Sequence, residues 1–144
     1  MKNLLLIGLI CIFAFSCNTS KKTTANSSKE INSVQQDTVR IANDELEYEI
    51  IIIDPGFNSW LYSRARQRGF YDQIYFETRN RVMVNEWNQR VLQPSRYDPN
   101  LYEMQINYEH NVDYGYEVNY LLYNYFLYFQ LNYNQRLSSF VPRI

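Results

Sequence analysis

The hydrophobic residues near the start of the chain form one short block. Residues 4–15 are apolar, the positive Lys2 precedes them, and Ser16 and Cys17 follow directly. A positive start, an apolar stretch of this length and small residues behind it are typical of a signal peptide, whereas a membrane-spanning helix needs about 20 apolar residues. Residues 1–16 are therefore predicted to be a signal peptide.

Cys17 stands where bacterial lipoproteins carry the cysteine that takes a diacylglyceryl group and becomes the mature N-terminus. The sequence departs from the usual lipoprotein pattern, because Ala14 replaces the common Leu and Phe15 is bulky. Cleavage by the ordinary signal peptidase would instead leave Cys17 as a free thiol, which is a liability in an oxidising compartment. We expect lipidation at Cys17 and a membrane anchor through that lipid.

A polar stretch separates this leader from the first strongly hydrophobic segment. Residues 18–43 are dominated by Ser, Thr, Asn, Gln and Lys, contain no aromatic residue and carry only scattered apolar positions. A segment of this composition buries too little apolar surface to fold alone. Residues 17–43, which begin with the lipidated cysteine, are predicted to be a flexible tether, and residues 44–144 a single aromatic-rich globular domain.

The first hydrophobic segment of the domain is a run of four isoleucines at residues 50–53, which ends at Asp54-Pro55-Gly56. A β-branched run that ends in a Pro-Gly turn predicts a strand buried on both faces. A short helix is predicted next, from residue 58 or 59 to about residue 67, because Asn and Ser are favourable first residues for a helix.

Residues 71–92 carry the spacing of a second helix. The segment holds two acid-before-base pairs four residues apart, Glu77 with Arg81 and Glu86 with Arg90. Such pairs stabilise a helix. The apolar residues fall on two opposite helical faces, which predicts a helix packed between two layers. One face holds Tyr71, Ile74, Tyr75, Val82 and Leu92, and the other holds Phe76, Met83, Trp87 and Val91.

The spacing of the hydrophobic residues changes in the last third of the domain. Apolar and polar residues alternate over residues 102–109, which predicts a strand with one wet face that pairs with residues 50–53. Residues 114–133 are the most apolar segment, and their length favours a helix, although the Tyr and Phe content leaves a pair of strands open. We predict an α+β fold, with a small two- or three-stranded sheet packed with about three helices and a long aromatic C-terminal helix.

Composition narrows the class of protein. The chain has 14 Tyr, eight Phe and two Trp, and 46% of its residues are hydrophobic, which excludes a wholly disordered chain. Its 14 Lys and Arg against 15 Asp and Glu argue against a nucleic-acid partner. Because the second cysteine, Cys11, lies in the predicted signal peptide, we expect no internal disulfide in the mature domain.

The charges are unevenly distributed in the domain. Residues 64–96 carry seven Arg and three acids, and the flanking segments 44–63 and 97–135 carry five acids each and no Lys or Arg. Arginines interleaved with Trp and Tyr could bind carboxylates or sugar rings, but internal ion pairs are the interpretation that we favour. The candidate ligand or partner surface consists of Arg64, Arg68, Trp60 and Trp87.

Few residues offer catalytic chemistry. Glu109, His110 and Asp113 place the single histidine between two carboxylates. Zinc needs three or four convergent ligands, so a solvated loop is the favoured interpretation of this segment. The serines lack a G-x-S-x-G setting, and the four glycines form no phosphate-binding loop. We therefore predict no catalytic residue, no metal and no cofactor.

Several longer strings are similar to those of a known family. EYEIIIIDPGFNSWL, ETRNR, NEWN, YDPNLYEMQINY and DYGYEVNYLLYNYF resemble sequences of small uncharacterised envelope lipoproteins of Bacteroidota, which share a domain of unknown function. The resemblance covers residues 45–143. It implies an envelope lipoprotein and supplies no activity, ligand or catalytic residue.

These features favour a non-catalytic, lipid-anchored protein of the bacterial cell envelope, whose domain binds an envelope protein or associates with itself. We expect it at the outer membrane and facing the periplasm, because no acidic run of the kind that some lipoproteins use for surface export follows Cys17. The alternative function is a module that binds or cleaves the cell-wall glycan, peptidoglycan.

Overall fold

The structure of the protein, a computed structural model, describes residues 38–140 and residue 144. Its elements are strand β1 (Thr38–Asn43), a 3-10 helix (Asp44–Leu46), strand β2 (Tyr48–Ile53) and helices α1 (Phe57–Arg64), α2 (Gln73–Val91) and α3 (Gly115–Asn132). A two-stranded sheet with three helices, the last of them aromatic, confirms the predicted α+β fold class. The predicted signal peptide and residues 17–37 of the predicted tether lie outside the described residues.

β1 and β2 form an antiparallel hairpin, in which Thr38 lies opposite Ile53 and Asn43 lies opposite Tyr48. The Asn43 side chain accepts hydrogen bonds from the backbone N–H groups of Glu45 and Leu46. Glu47 takes the left-handed conformation with φ 50°, and these two features close the turn between the strands. β1 corrects the predicted tether, whose last six residues belong to the sheet. The folded part of the chain therefore begins no later than residue 38.

The sheet buries one of its faces. Ile50 and Ile52 of β2 pack against the core, and Ile41 of β1 is fully buried. On the opposite face, Ile51 and Ile53 are 57% and 76% exposed. The prediction that the isoleucine run is buried on both faces is therefore wrong, because no described element covers the outer face of this sheet.

Helix α1 begins directly after Gly56, which has a φ of 105°. The positive φ requires glycine, and a Cβ at this position would also crowd the Tyr128 hydroxyl at 3.3 Å. Phe57, the first helical residue, is fully buried and anchors the helix to the core. The helix ends at Arg64, about one turn earlier than predicted.

Helix α2 lies within the predicted segment 71–92, and both of its predicted ion pairs form. Asp72 accepts a hydrogen bond from the Tyr75 N–H at 2.7 Å and caps the helix. The pairs join Glu77 with Arg81 at 3.7 Å and Glu86 with Arg90 at 2.8 Å. Local spacing alone was sufficient to predict this element.

The prediction of two buried faces on α2 is wrong. Phe76, Met83 and Trp87 are buried, as one predicted face requires. Ile74 and Leu92 of the other predicted face are 72% and 63% exposed. Tyr71 and Tyr75 of that face are partly covered, because they stack on each other and Tyr75 also packs edge-on against Tyr123 of α3. One side of α2 packs on α3 and no second layer covers the other side within the described residues.

Residues 102–109 contain no strand, which corrects the prediction that they pair with residues 50–53. Their backbone is held by α2 side chains instead: the Trp87 indole N–H donates to the Met104 carbonyl at 2.9 Å, and the Asn88 amide exchanges two 2.8 Å hydrogen bonds with Ile106. β2 pairs with the adjacent β1, because a short turn costs less loop-closure entropy than a connection of some 50 residues.

Helix α3 is the centre of the molecule. α1, α2 and β1 all pack against it, and Leu122 and Phe126 are completely buried. The helix in the predicted segment 114–133 is confirmed, and the pair of strands is excluded. Of the described residues, no helix is both long and apolar enough to span a membrane.

Candidate functional site

A groove of about 320 Å³ lies between β2 and residues 100–107. All six residues of β2 line it, and Asp54, the residue after the strand, lines it as well. Trp87 of α2, Tyr125 of α3 and Tyr133, the residue after α3, complete the lining. The groove thus runs along a strand on one side and an extended loop on the other.

The backbone of β2 is open on the groove side. In an antiparallel pair, alternate residues direct both their N–H and C=O groups to the partner strand, and the residues between them direct both groups outward. Within the described part of the chain, no residue other than those of β1 forms a backbone hydrogen bond with Tyr48–Ile53. β2 is therefore an edge strand with a row of unpaired peptide groups.

The charged side chains that line the groove are all acidic. They are Glu49, Asp54 and Glu103, and no Lys, Arg or His lines the groove. Arg40 of β1 contacts the Glu49 carboxylate from the neighbouring strand and so offsets one of these charges. The lining as a whole favours a positively charged occupant.

Asp54 is the most buried of these acids, with 5% of its surface exposed. The Tyr128 hydroxyl donates to its Oδ1 at 3.0 Å, and the Tyr133 hydroxyl lies 3.2 Å from both carboxylate oxygens. Burial raises the pKa of the Asp54 carboxyl above its ordinary value, and the two tyrosine hydrogen bonds act in the opposite direction. The same contacts tie the end of β2 to the end of α3.

Two further tyrosines, Tyr48 and Tyr125, line the groove. The Tyr48 hydroxyl is buried without a hydrogen-bond partner in the described structure. The Tyr125 hydroxyl also forms no hydrogen bond with any described side chain or backbone group, and both residues line the groove. A tyrosine hydroxyl is neutral at pH 7, and burial raises the pKa of both side chains further above the ordinary value of 10.0.

The structure does not bring the four predicted surface residues together. Trp87 is only 6% exposed and belongs to the core, which corrects its assignment to a surface. Arg68 forms a two-pronged ion pair with Glu117 and lies over the Tyr120 ring, with its guanidinium carbon 4.4 Å from the ring centroid. The Arg68 guanidinium is therefore paired with groups of the same domain.

The other two predicted residues lie one turn apart on α1. Trp60 is partly buried, with its ring centroid 5.8 Å from that of Tyr128. Arg64 is exposed, and no hydrogen bond or ion pair joins it to another described residue. Of the four predicted residues, only Trp60 and Arg64 therefore lie close together at the surface.

The segment around the single histidine is exposed to solvent. Glu109, His110 and Asp113 all lie on the surface, and Asp113 accepts hydrogen bonds from the Gly115 N–H and the Gln73 amide. Among residues 38–140 and 144, no three His, Cys, Asp or Glu side chains are grouped closely enough to hold a metal ion.

The groove is not among the sites that the sequence predicts. Asp54 carried a usable signal, because an acid directly after a buried strand often lies at the edge of a sheet and is half-enclosed. Tyr125 carried no such signal, because α3 is buried on nearly all sides and its pattern of apolar residues does not distinguish the side that faces the groove. The open edge of β2 could not be recognised while residues 102–109 were predicted to pair with it.

The fold and the groove define a small α+β domain with an unpaired sheet edge beside an acidic cleft. The chain belongs to a family of unknown function (DUF6146), whose model matches residues 4–141. No curated protein and no solved structure matches the chain.

Proposed function

We propose that this protein is a non-catalytic lipoprotein of the bacterial cell envelope, whose domain binds another protein. The observation that carries the binding role is the unpaired edge of β2 beside an apolar and acidic groove. An exposed edge strand is a template for pairing with another chain unless it is covered. A two-stranded sheet is also marginally stable alone, so a further strand would stabilise it.

The lipid anchor is supported by the sequence. Cys17 follows an apolar block of signal-peptide length, and the strings quoted above resemble those of Bacteroidota envelope lipoproteins. We place the anchor in the outer membrane, with the domain on the periplasmic side. The predicted tether, shortened by β1, would then give the domain reach, since a flexible coil of about 20 residues spans roughly 25 Å on average.

Membrane fractionation of two cysteine variants tests the anchor. Cys17→Ala removes the only thiol that can take the lipid, and we expect the protein to leave the membrane fraction and to lose incorporation of labelled palmitate. Cys11→Ala is the matched control, because it changes a cysteine within the predicted signal peptide, and it should remain in the membrane. A Cys17→Ala protein that stays in the membrane would refute the lipoprotein proposal.

Site-specific photocrosslinking in intact cells tests the binding role. A crosslinking amino acid at Ile53, which is 76% exposed beside the groove, should form adducts with one discrete protein. The same amino acid at Tyr62 on α1, which is 95% exposed, controls for random collisions. The absence of adducts at both positions, together with a monomeric protein in cells, would count against any binding function.

The peptidoglycan alternative now depends on α1. Arg64 is exposed without a described partner, and Trp60 lies one turn before it, whereas Arg68 is paired and Trp87 is buried. Sedimentation with purified peptidoglycan separates the two functions. Glycan binding requires cosedimentation that Arg64→Ala weakens, while the protein-binding proposal expects the domain to remain in the supernatant.

A further inference from the structure

We infer that the groove beside β2 binds an extended, Lys- or Arg-containing segment of another protein, which adds to the sheet as a third strand. The inference rests on the proposed binding function and specifies its surface and the chemistry of its partner. Three features carry it: the unpaired backbone of β2, the second backbone wall across the groove, and the charge of the lining.

The backbone of β2 supplies the first feature. Alternate residues of Tyr48–Ile53 direct their N–H and C=O groups away from β1 and find no partner among the described residues. A peptide in β conformation at a spacing of about 4.8 Å would satisfy them. Strand addition of this kind takes its affinity from main-chain hydrogen bonds and its specificity from the pockets for alternate side chains.

The loop across the groove supplies the second feature. The Met104 carbonyl and both backbone groups of Ile106 are bonded to α2 side chains, which holds the loop in place. The backbone groups of Gln105, between them, have no hydrogen bond within the described structure. Since the loop cannot close onto β2 while α2 holds it, the edge stays open to an incoming strand.

Apolar side chains line the groove between these two walls. Leu101 and Met104 contribute from the loop, and Met104 is 72% exposed. Ile50 and Ile52 line it from the strand. Tyr48 and Tyr125 also line the groove, from β2 and from α3. Alternate residues of a bound strand would therefore meet an apolar surface.

Charge selects the partner. Glu49, Asp54 and Glu103 line the groove, with no basic residue among the lining. A second copy of this chain is a poor match, because residues 44–144 carry nine Arg against 13 acids, and the free edge of a second β2 would bring its own Glu49. A basic segment of a different protein complements these carboxylates and gains on-rate from them.

Three synthetic peptides test the proposal on the full chain carrying Cys17→Ala. The probe is fluorescently labelled Lys-Val-Lys-Val-Lys-Val, and its binding is measured by fluorescence anisotropy. A second peptide carries Glu in place of Lys, and a third carries Pro in place of the central Val. We expect the second and third peptides to bind at least about tenfold more weakly, because one loses charge complementarity and the other loses a backbone N–H.

A pair of charge reversals locates the binding site. Glu103→Lys places a positive charge on the wall of the groove and should weaken binding of the Lys-Val peptide at least about tenfold. Glu109→Lys makes the same charge change six residues further on, at an exposed position outside the lining, and should leave binding almost unchanged. Both positions are exposed, so neither change disturbs the core.

The outcomes separate the inference from the proposed function. If the Lys-Val peptide does not bind, or if Glu103→Lys weakens binding no more than Glu109→Lys, the inference is overturned. Adducts with one discrete protein at Ile53, above the level at Tyr62, would then still support the proposed binding role, with a partner other than a basic strand. A dimer in analytical ultracentrifugation that Glu103→Lys dissociates, without peptide binding, would assign the edge to a second copy and equally overturn the inference.

Discussion

The contact between α2 and α3 pairs most of its buried polar groups, although Asn80 Oδ1 and Arg81 Nε have no partner in the described structure, whereas the open edge of β2 leaves a whole row of peptide groups unpaired. At the helix contact, the buried Asn80 amide donates to the Asn119 carbonyl at 3.0 Å, and the Tyr108 hydroxyl donates to Asn119 Oδ1 at 2.5 Å. At the edge of β2, a row of peptide groups lacks partners in the described structure. The first region holds the fold together, and the second remains able to bind.

The aromatic residues follow the same division. Trp87 packs edge-to-face on Phe129 and Tyr102, with ring centroids 4.8 Å and 5.0 Å apart, in the geometry that aromatic pairs prefer. The tyrosine-rich composition is therefore mainly a property of the core. Only where core tyrosines reach the groove, as Tyr125 does, do they become available to a ligand.

Phe126→Ala should produce the largest effect, because this side chain is completely buried at the centre of α3. We expect a loss of about 3–5 kcal/mol in the free energy of unfolding, measured by urea denaturation. Ile53→Ala, an exposed residue of the sheet edge, should change it by less than about 0.5 kcal/mol. Similar losses for the two variants would show that the edge is covered in solution and would break the comparison.

Asn119→Ala tests the polar part of the helix contact. The change leaves the Asn80 amide with one partner fewer and the Tyr108 hydroxyl without its acceptor, so we expect a loss of about 1–3 kcal/mol. Asn124→Ala is the matched control, because Asn124 is equally buried on α3 but its amide donates only to the carbonyl of Tyr120 in its own helix. If both variants lose the same stability, the link between the helices contributes little.

Asp54 gives the groove a pH-dependent contribution to stability. Burial raises the folded-state pKa of this carboxyl, so the folded protein holds the proton more firmly than the unfolded chain does. Stability from this group is present at low pH and is lost as the pH rises from the unfolded value, 3.8, through the folded value. The tyrosine hydrogen bonds oppose the shift, so we expect a smaller effect than for Asn119→Ala.

Denaturation of Asp54→Asn at several pH values measures this contribution. The variant should lack the fall in stability that the wild type shows above pH 3.8, while Glu109→Gln, at an exposed position, should follow the wild type. A wild-type stability that rises with pH, and rises less in Asp54→Asn, would mean that the hydrogen bonds from Tyr128 and Tyr133 outweigh burial.

Arg68→Ala should have the smallest effect. Arg68 and Glu117 are each about half exposed, and exposed ion pairs contribute less than about 1 kcal/mol. Arg64→Ala on the neighbouring helix, with no described ion pair to lose, should leave the free energy of unfolding unchanged. A double-mutant cycle with Glu117→Ala isolates the pair, and a coupling energy that persists at high salt would show that it is more protected than its exposure indicates.

The helices were predictable because their signals are local. The ion pairs of α2 lie four residues apart, and the helix at residues 114–133 followed from the length of its apolar run. β1 was overlooked because Arg40 and Asn43 interrupt a short strand whose apolar positions are few. Its pairing with β2 became visible only with the turn that Asn43 closes.

Residue order by itself determined the three helices and β2, since helix spacing, capping and β-branched runs act between near neighbours in the chain. Tertiary structure decided which faces are buried and which edge is open. Ile74 and Phe76 belong to the same helix, yet only Phe76 meets α3, and residues 102–109 alternate like a strand but bond to α2 side chains. Burial and edge pairing depend on long-range contacts, so the groove exists only in the folded chain.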